Sequence, residues 1–431
     1  MIPRTPRFFA CIANAALIAA VFASGCAVNP VTGEKQLSLI SVQQELRLGQ
    51  QQYPINQQQQ GGQYTIDPHL QDYVNKVGQK LARASDQPQL PYAFVVLNNA
   101  VPNAWALPGG KIAINRGLLV LLEDEAELAA VLSHEIVHAA ARHSATALSQ
   151  QQVLGAGLAA LGAATKDTAY ADLISTGSQL GGSAYIARYG RSNELQSDKY
   201  GMQYMAAAGY DPQGAVRLQR KFVALSKGRQ ANGLDALFAS HPPSQFRVSA
   251  NIEHSQSLPT GGVTNRDAYQ KAIAQLKRDA AAYKHYDQAL QAAGKQQYDS
   301  ALRLVRKAQQ QQPKEATFFA LEGDLLAQKK QYAKAHKAYD RAVQKNPTLF
   351  SHWLKRGVAS AALKDYVSAE RDLSRSLRYL DTAYAHYYLG EIYEQQGNPQ
   401  TAYKHYQTAA TAGGEIGSKA QARMQALASK T

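Results

Sequence analysis

Cysteine is nearly absent. The 431 residues hold two, Cys11 and Cys26, and removal of an N-terminal leader would leave one, so no internal disulfide framework is expected. Stability then has to come from packing, with a metal as a possible contributor. Charge is scarce as well, at 18% of the residues, and no long block of one sign occurs. With 45% hydrophobic residues, that composition argues against wholesale disorder. Long apolar runs are missing. Residues 8–22, apolar apart from Asn14, and residues 153–164 both fall short of the roughly 20 residues a membrane-crossing helix needs. No finger motif or arginine–aromatic interleaving points to nucleic acid. What remains is a chain long enough for two or three domains with real cores.

The N-terminus bears on the compartment. Arg4 and Arg7 precede the apolar stretch, and the small residues Ala23, Ser24 and Gly25 follow it. Basic, apolar, small is the order of a secretory signal peptide, here residues 1–25. Cys26 directly after the small residues resembles a bacterial lipobox, in which that cysteine is lipidated and becomes the mature N-terminus. Ala23 departs from that pattern, where leucine is commoner. Ala27 in place of aspartate then implies, in a Gram-negative cell, sorting to the outer membrane. Ordinary cleavage without a lipid is the other reading. The expected location is the periplasm, anchored to the outer membrane.

The net charge is +14, and residues 266–431 hold 26 basic against 15 acidic side chains. A basic surface suits anionic lipid, acidic protein segments or nucleic acid. An exported lipoprotein rarely meets nucleic acid, so none is expected as a partner, and a solvated basic face is the plain alternative.

Along the chain, residues 42–52 read as a helix and the glutamine-rich run "QQQYPINQQQQGGQY" as a solvated linker. Residues 67–84 form an amphipathic pattern, with Leu70, Val74, Val77 and Leu81 at helical spacing. "YAFVVLNN" reads as a strand. In "NAWALPGGKIAINRGLL" a Pro-Gly-Gly turn sits between two apolar runs, as in a hairpin. Residues 123–152 read as helix, and the glycine-containing residues 153–164 as a buried helix or a flap. Further helices are expected near 192–208 and 212–225, and "SLPTGGVTN" is the best domain boundary. The domains are then 26–65, a lipid-anchored tether with a helix; 66–262, a catalytic-type domain; and 263–431, a repeat domain.

The repeats are explicit. Tyr298, Tyr332 and Tyr366 are 34 residues apart, as are Ala301, Ala335 and Ala369, and also Pro313 and Pro347. Gly323 and Gly357 keep that spacing, with Gly390 close to it. A 34-residue period with small residues at helix crossings is the tetratricopeptide signature. Three good repeats and a weaker fourth would stack into an α-solenoid whose concave groove suits protein segments.

The chemistry centres on "HEIVH". On a helix, His134 and His138 are neighbours on one face, and this spacing lets two imidazoles reach one zinc ion. Glu135 would stand beside the metal as general base. A catalytic zinc has three protein ligands and an open position. The extended metzincin pattern fails at Ala141 and Ser144. His143, five residues after His138, would point off the ligand face. Glu194 in "NELQSDKYG" is the better third ligand, with Asp198 one turn on to hold a ligand imidazole. Two plain surface acids are the alternative there.

These segments carry a resemblance. "CAVNPVTGEKQLSLIS", "NAWALPGGKIAINRGLL", "EDEAELAAVLSHEIVHAAARH", "NELQSDKYG" and "SHPPSQFR" together resemble the HtpX, CaaX-protease and BepA group of zinc metallopeptidases, of gluzincin type, over about residues 26–247. The resemblance implies one zinc per chain on His134, His138 and Glu194, with Glu135 as base. With the repeats, it implies a periplasmic protease and chaperone-like factor for outer-membrane proteins, although BepA itself is soluble and lacks the lipobox. The expected partners are unfolded or misassembled outer-membrane proteins, and the β-barrel assembly machinery through the groove. In BepA-like proteins the histidine matching His241 can fill the fourth zinc position as a latch. His241 with Arg247 as an oxyanion site, or His-Pro-Pro as a helix start, are the alternatives. "ALPGGKIAIN" is expected to offer a strand edge to a peptide, with a plain sheet edge as the alternative. The expected fold is mainly α with a small β-sheet, a zincin-type metallopeptidase domain followed by the solenoid. An assembly adaptor with a latent or structural zinc site is the competing function.

Overall fold

The computed structural model describes residues 26–165, 189–227 and 234–429. The signal-peptide reading of residues 1–25 lies outside them. The chain divides into two compact units, one of residues 1–56 and 69–273, the other of residues 57–68 and 274–431. Both are mainly helical, and the sheets are small.

In the first unit, β1 (Cys26–Val28) and β2 (Lys35–Leu37) form an antiparallel hairpin. Its turn is set by Asn29, whose side-chain oxygen accepts from the amides of Val31 and Thr32. The Gln36 amide donates to the Ala141 carbonyl, so the segment read as a tether holds a docked hairpin. Helix α1 (Val42–Gln59) follows, then α2 (Pro68–Arg83), whose apolar stripe is buried as its spacing predicts. Strands β3 (Ala93–Leu97), β4 (Ala104–Leu107) and β5 (Lys111–Asn115) make a sheet of order β3-β5-β4. The Pro-Gly-Gly turn joins β4 and β5 antiparallel, while β3 runs parallel to β5. β4 is therefore an edge strand and β5 the central one.

A short helix, α3 (Arg116–Leu119), leads to α4 (Glu125–Ala140), which carries HEIVH. All of α4 except His134 is buried. Asp124 caps its first turn by accepting from the Glu127 amide, and the Thr264 carbonyl takes the Glu125 amide. That cap uses donors no helix can satisfy internally. The single helix expected over residues 123–152 is broken. Arg142 adopts a left-handed φ of 59°, and α5 (His143–Thr165) starts anew. The guanidinium of Arg142 pays for the break by donating to Ser38, the Ile40 carbonyl and the buried Glu45. Residues 153–164 are the helical end of α5.

Helices α6 (Arg191–Ala207), α7 (Gln213–Lys227), α8 (Asp235–Ser240), α9 (Gln245–Ser255) and α10 (Arg266–Ala272) complete this unit. Gly201 lets α6 pack closely on α4: a Cβ there would sit 3.1 Å from the Ser133 hydroxyl and 3.2 Å from the His134 nitrogen. Among the described residues, no helix is long and apolar enough to cross a membrane.

The second unit opens with α11 (Ala274–Arg278) and is built from helix pairs: α12 (Ala280–Gly294) with α13 (Tyr298–Gln311), α14 (Ala316–Gln328) with α15 (Tyr332–Lys345), α16 (Phe350–Ala362) with α17 (Tyr366–Leu377), and α18 (Ala383–Gln395) with α19 (Pro399–Ala410). A closing helix, α20 (Gly414–Ala428), covers the last pair. The turn inside each pair carries one left-handed residue, in order Gln296, Lys330, Lys364 and Gly397. The glutamine run is not a linker. It continues α1 to Gln59, and Gln58 donates to the Thr348 carbonyl and accepts from the Phe350 amide at the start of α16. Glutamine is a good helix former, and its amide supplies the cap that α16 lacks.

Close helix approach within a pair depends on small residues. A Cβ on Gly323 would lie 2.3 Å from the Tyr339 ring. Gly323→Ala should destabilise the repeat unit by about 1–3 kcal/mol through overpacking, measured by denaturant unfolding of the full chain. An unchanged midpoint would mean that the pair tolerates separation.

Candidate metal centre

Four elements bring the site together. α4 supplies His134, Glu135 and His138, α6 supplies Glu194 and Asp198, His241 ends α8, and Arg247 lies in the first turn of α9. One donor atom from each of His134, His138, Glu194 and His241 lies within 4.8 Å of the other three. The Nε2 atoms of His134 and His138 are 3.0 Å apart. His241 Nδ1 stands 3.3 Å from His134 Nε2 and 3.1 Å from Glu194 Oε1. Glu194 Oε1 is 3.3 Å from His138 Nε2, and Oε2 is 3.5 Å from His134 Nε2.

These spacings test whether a metal fits. Zinc binds imidazole nitrogen at about 2.0–2.1 Å in a tetrahedron, so its donors stand roughly 3.3 Å apart. The observed separations bracket that figure. Nitrogen and carboxylate oxygen are also the donor chemistry zinc takes. The residues present fit the ion.

The surrounding hydrogen bonds orient each imidazole. His134 Nδ1 is 3.0 Å from Asp198 Oδ1, and His138 Nδ1 is 2.9 Å from His143 Nδ1. His143 Nε2 in turn meets the Gln196 side-chain oxygen. One tautomer set satisfies this chain. Nδ1–H of His134 donates to Asp198, Nδ1–H of His138 donates to His143, and Nε2–H of His143 donates to Gln196. Both HEIVH histidines then present a bare Nε2 toward Glu194. The Tyr189 ring stacks on His138, with centroids 3.7 Å apart, and its hydroxyl lies 3.0 Å from the Ser144 hydroxyl.

Arg247 holds the carboxylates. It is 3% exposed. Its Nε and Nη2 donate to the two oxygens of Asp198 at 2.7 and 2.6 Å, and its Nη1 lies 2.7 Å from Glu194 Oε2 and donates to the Pro242 carbonyl. The fork is a bidentate pair, the strongest form of charged hydrogen bond. All three guanidinium nitrogens are thus engaged.

Titration follows from these contacts. Burial opposes charge on His134, yet the Glu194 and Asp198 carboxylates outweigh it and lift its pKa to about 10. Burial works against ionising Glu194, but His241 and His134 hold it well below the ordinary carboxylate range. Asp198 is likewise depressed, with Arg247 overcoming burial. Burial keeps His138 neutral and pushes His143 down to about 4. Burial raises Glu135, although the nearby imidazoles pull the other way.

The model of peptidase family M48 matches residues 68–254. These residues are an M48 peptidase domain. The chain is a metal-dependent peptidase by that domain and its donor group. It is similar to the beta-barrel assembly-enhancing protease of Escherichia coli, at 26% identity over 72% of this chain and 68% of that protein. It is also similar to the mitochondrial metalloendopeptidase OMA1 of Schizosaccharomyces pombe, at 28% identity over 51% of this chain and 63% of that protein. Among solved structures, MamA aligns with 34% of this chain and 87% of its own at 17% identity, with a TM-score of 0.30.

In the M48 domain, the structure brings together every residue singled out in the sequence: His134, Glu135, His138, Glu194, Asp198, His241 and Arg247. It adds His143, Gln196 and Tyr189. His143 lies outside the donor group, as its spacing predicts. The break at Arg142 turns its ring back onto His138. The signal available was a third histidine in a buried alanine-rich stretch. Groups that hydrogen-bond the far nitrogen of a metal-binding imidazole support metal affinity by about 10–100-fold. His143→Ala and Asp198→Asn should therefore each weaken zinc binding by about that factor, read by competition with a chelator. Wild-type affinity in both variants would show that the imidazoles need no orienting partners.

Proposed function

We propose that this chain is a zinc-dependent endopeptidase of the periplasm, lipid-anchored through Cys26 to the outer membrane. It acts on misfolded or stalled outer-membrane proteins, and the repeat groove recruits substrate or the β-barrel assembly machinery. The observation that carries the reading is the convergence of the His134, His138 and Glu194 donors beside a buried glutamate. The Escherichia coli relative is named for enhancing β-barrel assembly, which supports the choice of substrate.

His134, His138 and Glu194 hold the ion. When bound, zinc supplies Lewis acidity that polarises a carbonyl and acidifies water. Glu135 is 2% exposed, and its Oε2 has no hydrogen-bond partner. A buried carboxylate with a raised pKa and a free oxygen is suited to take a proton from water and return it to the leaving amine. Asp198 and Arg247 position the donors; Arg247 is committed to carboxylates rather than to an oxyanion. Edge strand β4 offers a substrate backbone a place to pair. His241 stands between the donors and Glu135, with its Nε2 3.5 Å from Glu135 Oε1. As a fourth donor it would close the position a substrate needs.

That closure favours the second reading, an assembly adaptor whose zinc site is latent. The two separate on zinc analysis and hydrolysis of a denatured β-barrel protein by wild type, Glu135→Gln and His241→Ala. The proposal expects one zinc per chain in all three. Glu135→Gln should lose at least about 100-fold in rate, and His241→Ala should hydrolyse faster than wild type. Absence of hydrolysis even in His241→Ala would favour the adaptor. The anchor has its own test: Cys26→Ser should move the protein from the membrane fraction to the soluble periplasmic fraction, and an unchanged distribution would exclude the lipid.

A further inference from the structure

Behind the donor group lies a cavity of about 40 Å³ that borders His134, Glu135 and His241. Part of its wall is apolar: Val131 from α4, Met205 from α6, Leu218 and Phe222 from α7, and Leu237 from α8. All five are buried. Ser133, Asp198 and Arg247 also line it and are hydrogen-bonded, whereas Gln219 and Ser197 each carry an atom without a partner. Gln219 is 6% exposed and its Oε1 has no hydrogen-bond partner. Ser197 is fully buried and its hydroxyl has none. Leaving a buried polar group unpaired is costly, and native structures keep such groups rare. Two of them lining one small cavity beside Glu135 point to a ligand that supplies their partners.

Position identifies which part of a substrate enters. Glu135 must reach the amine it protonates. The residue that carries this amine therefore sets its side chain beside Glu135, which borders the cavity. Size limits the side chain. A cavity of about 150 Å³ takes the six carbons of benzene; on that scale 40 Å³ admits about two heavy atoms beyond Cβ. Chemistry limits it further. A hydroxyl both donates and accepts, so it satisfies the Gln219 amide in either orientation and Ser197 as well. Valine has the same size and satisfies neither.

The geometry points to Gln219 as a specificity-determining residue, selecting threonine or serine immediately after the scissile bond. This rests on the endopeptidase reading and names its substrate class. Large apolar residues are excluded from that position by volume, and valine by the unpaired amide.

The test uses the zinc-loaded full chain and synthetic peptides that differ only in threonine, serine, valine or leucine at that position. Wild type should cleave the threonine peptide with kcat/KM about tenfold or more above the valine peptide. Gln219→Leu and Gln219→Met should bring the ratio to unity while still cleaving the valine peptide. A wild-type preference for leucine, or a threonine-to-valine ratio unchanged in both variants, would overturn the assignment. The same peptides, fluorescently tagged, are bound to the zinc-loaded Glu135→Gln chain and read by anisotropy. Tighter binding of the threonine peptide, lost when Gln219→Leu is added, would support the cavity even if wild type hydrolysed nothing. Equal binding of the threonine and valine peptides would overturn it.

Discussion

One constraint organises the peptidase unit: a buried carboxylate on α6 must face two imidazoles on α4. Ionised groups out of water are costly unless paired and hydrogen-bonded. Arg247 meets that cost by forking Asp198 and reaching Glu194 Oε2. The carboxylates are thus held ionised before any ion binds. The sequence of α6 follows from this. Glu194 and Asp198 share one face one turn apart, and Gly201 sits where the two helices touch. The HPPSQFR segment serves the same end, with His241 and Arg247, at its two ends, both reaching the Glu194 carboxylate.

The order of preference among protonation states also follows. With Glu194 and Asp198 ionised, His134 carries a proton that a metal would displace, while His138 is already neutral. Metal binding at such a centre releases protons and stabilises the fold that presents the donors. His241 ties the donor group to Glu135, so the same side chain that completes the donor set also stands where water or substrate would enter.

Much of this was legible in the sequence because it rests on short periods. HEIVH and the Glu194–Asp198 pair are i, i+4 patterns, and helix geometry alone places each pair on one face. The 34-residue repeat announced helix pairs, and the small residues marked their crossings. What the sequence hid depended on single backbone angles or on partners distant in the chain. Nothing local announces that Arg142 turns left-handed; the reason is Glu45 and the Ile40 carbonyl, about a hundred residues away. His143 stays outside the donor group, as expected, but its contact with His138 Nδ1 follows from that break and was not legible. The glutamine run was read as solvated because its residues are polar, whereas Gln58 is used as a cap for α16. Tyr189 stacks on His138 from outside any periodic pattern.

The central claim is that Glu194 joins the two HEIVH histidines on one ion. The most direct measurement is a crystal structure of the zinc-loaded chain with anomalous data collected at the zinc edge. The account predicts a single peak bonded to His134 Nε2, His138 Nε2 and a Glu194 oxygen, each at about 2.0–2.2 Å. A peak that leaves Glu194 uncoordinated and paired only with Arg247, or no peak among these residues, would contradict it.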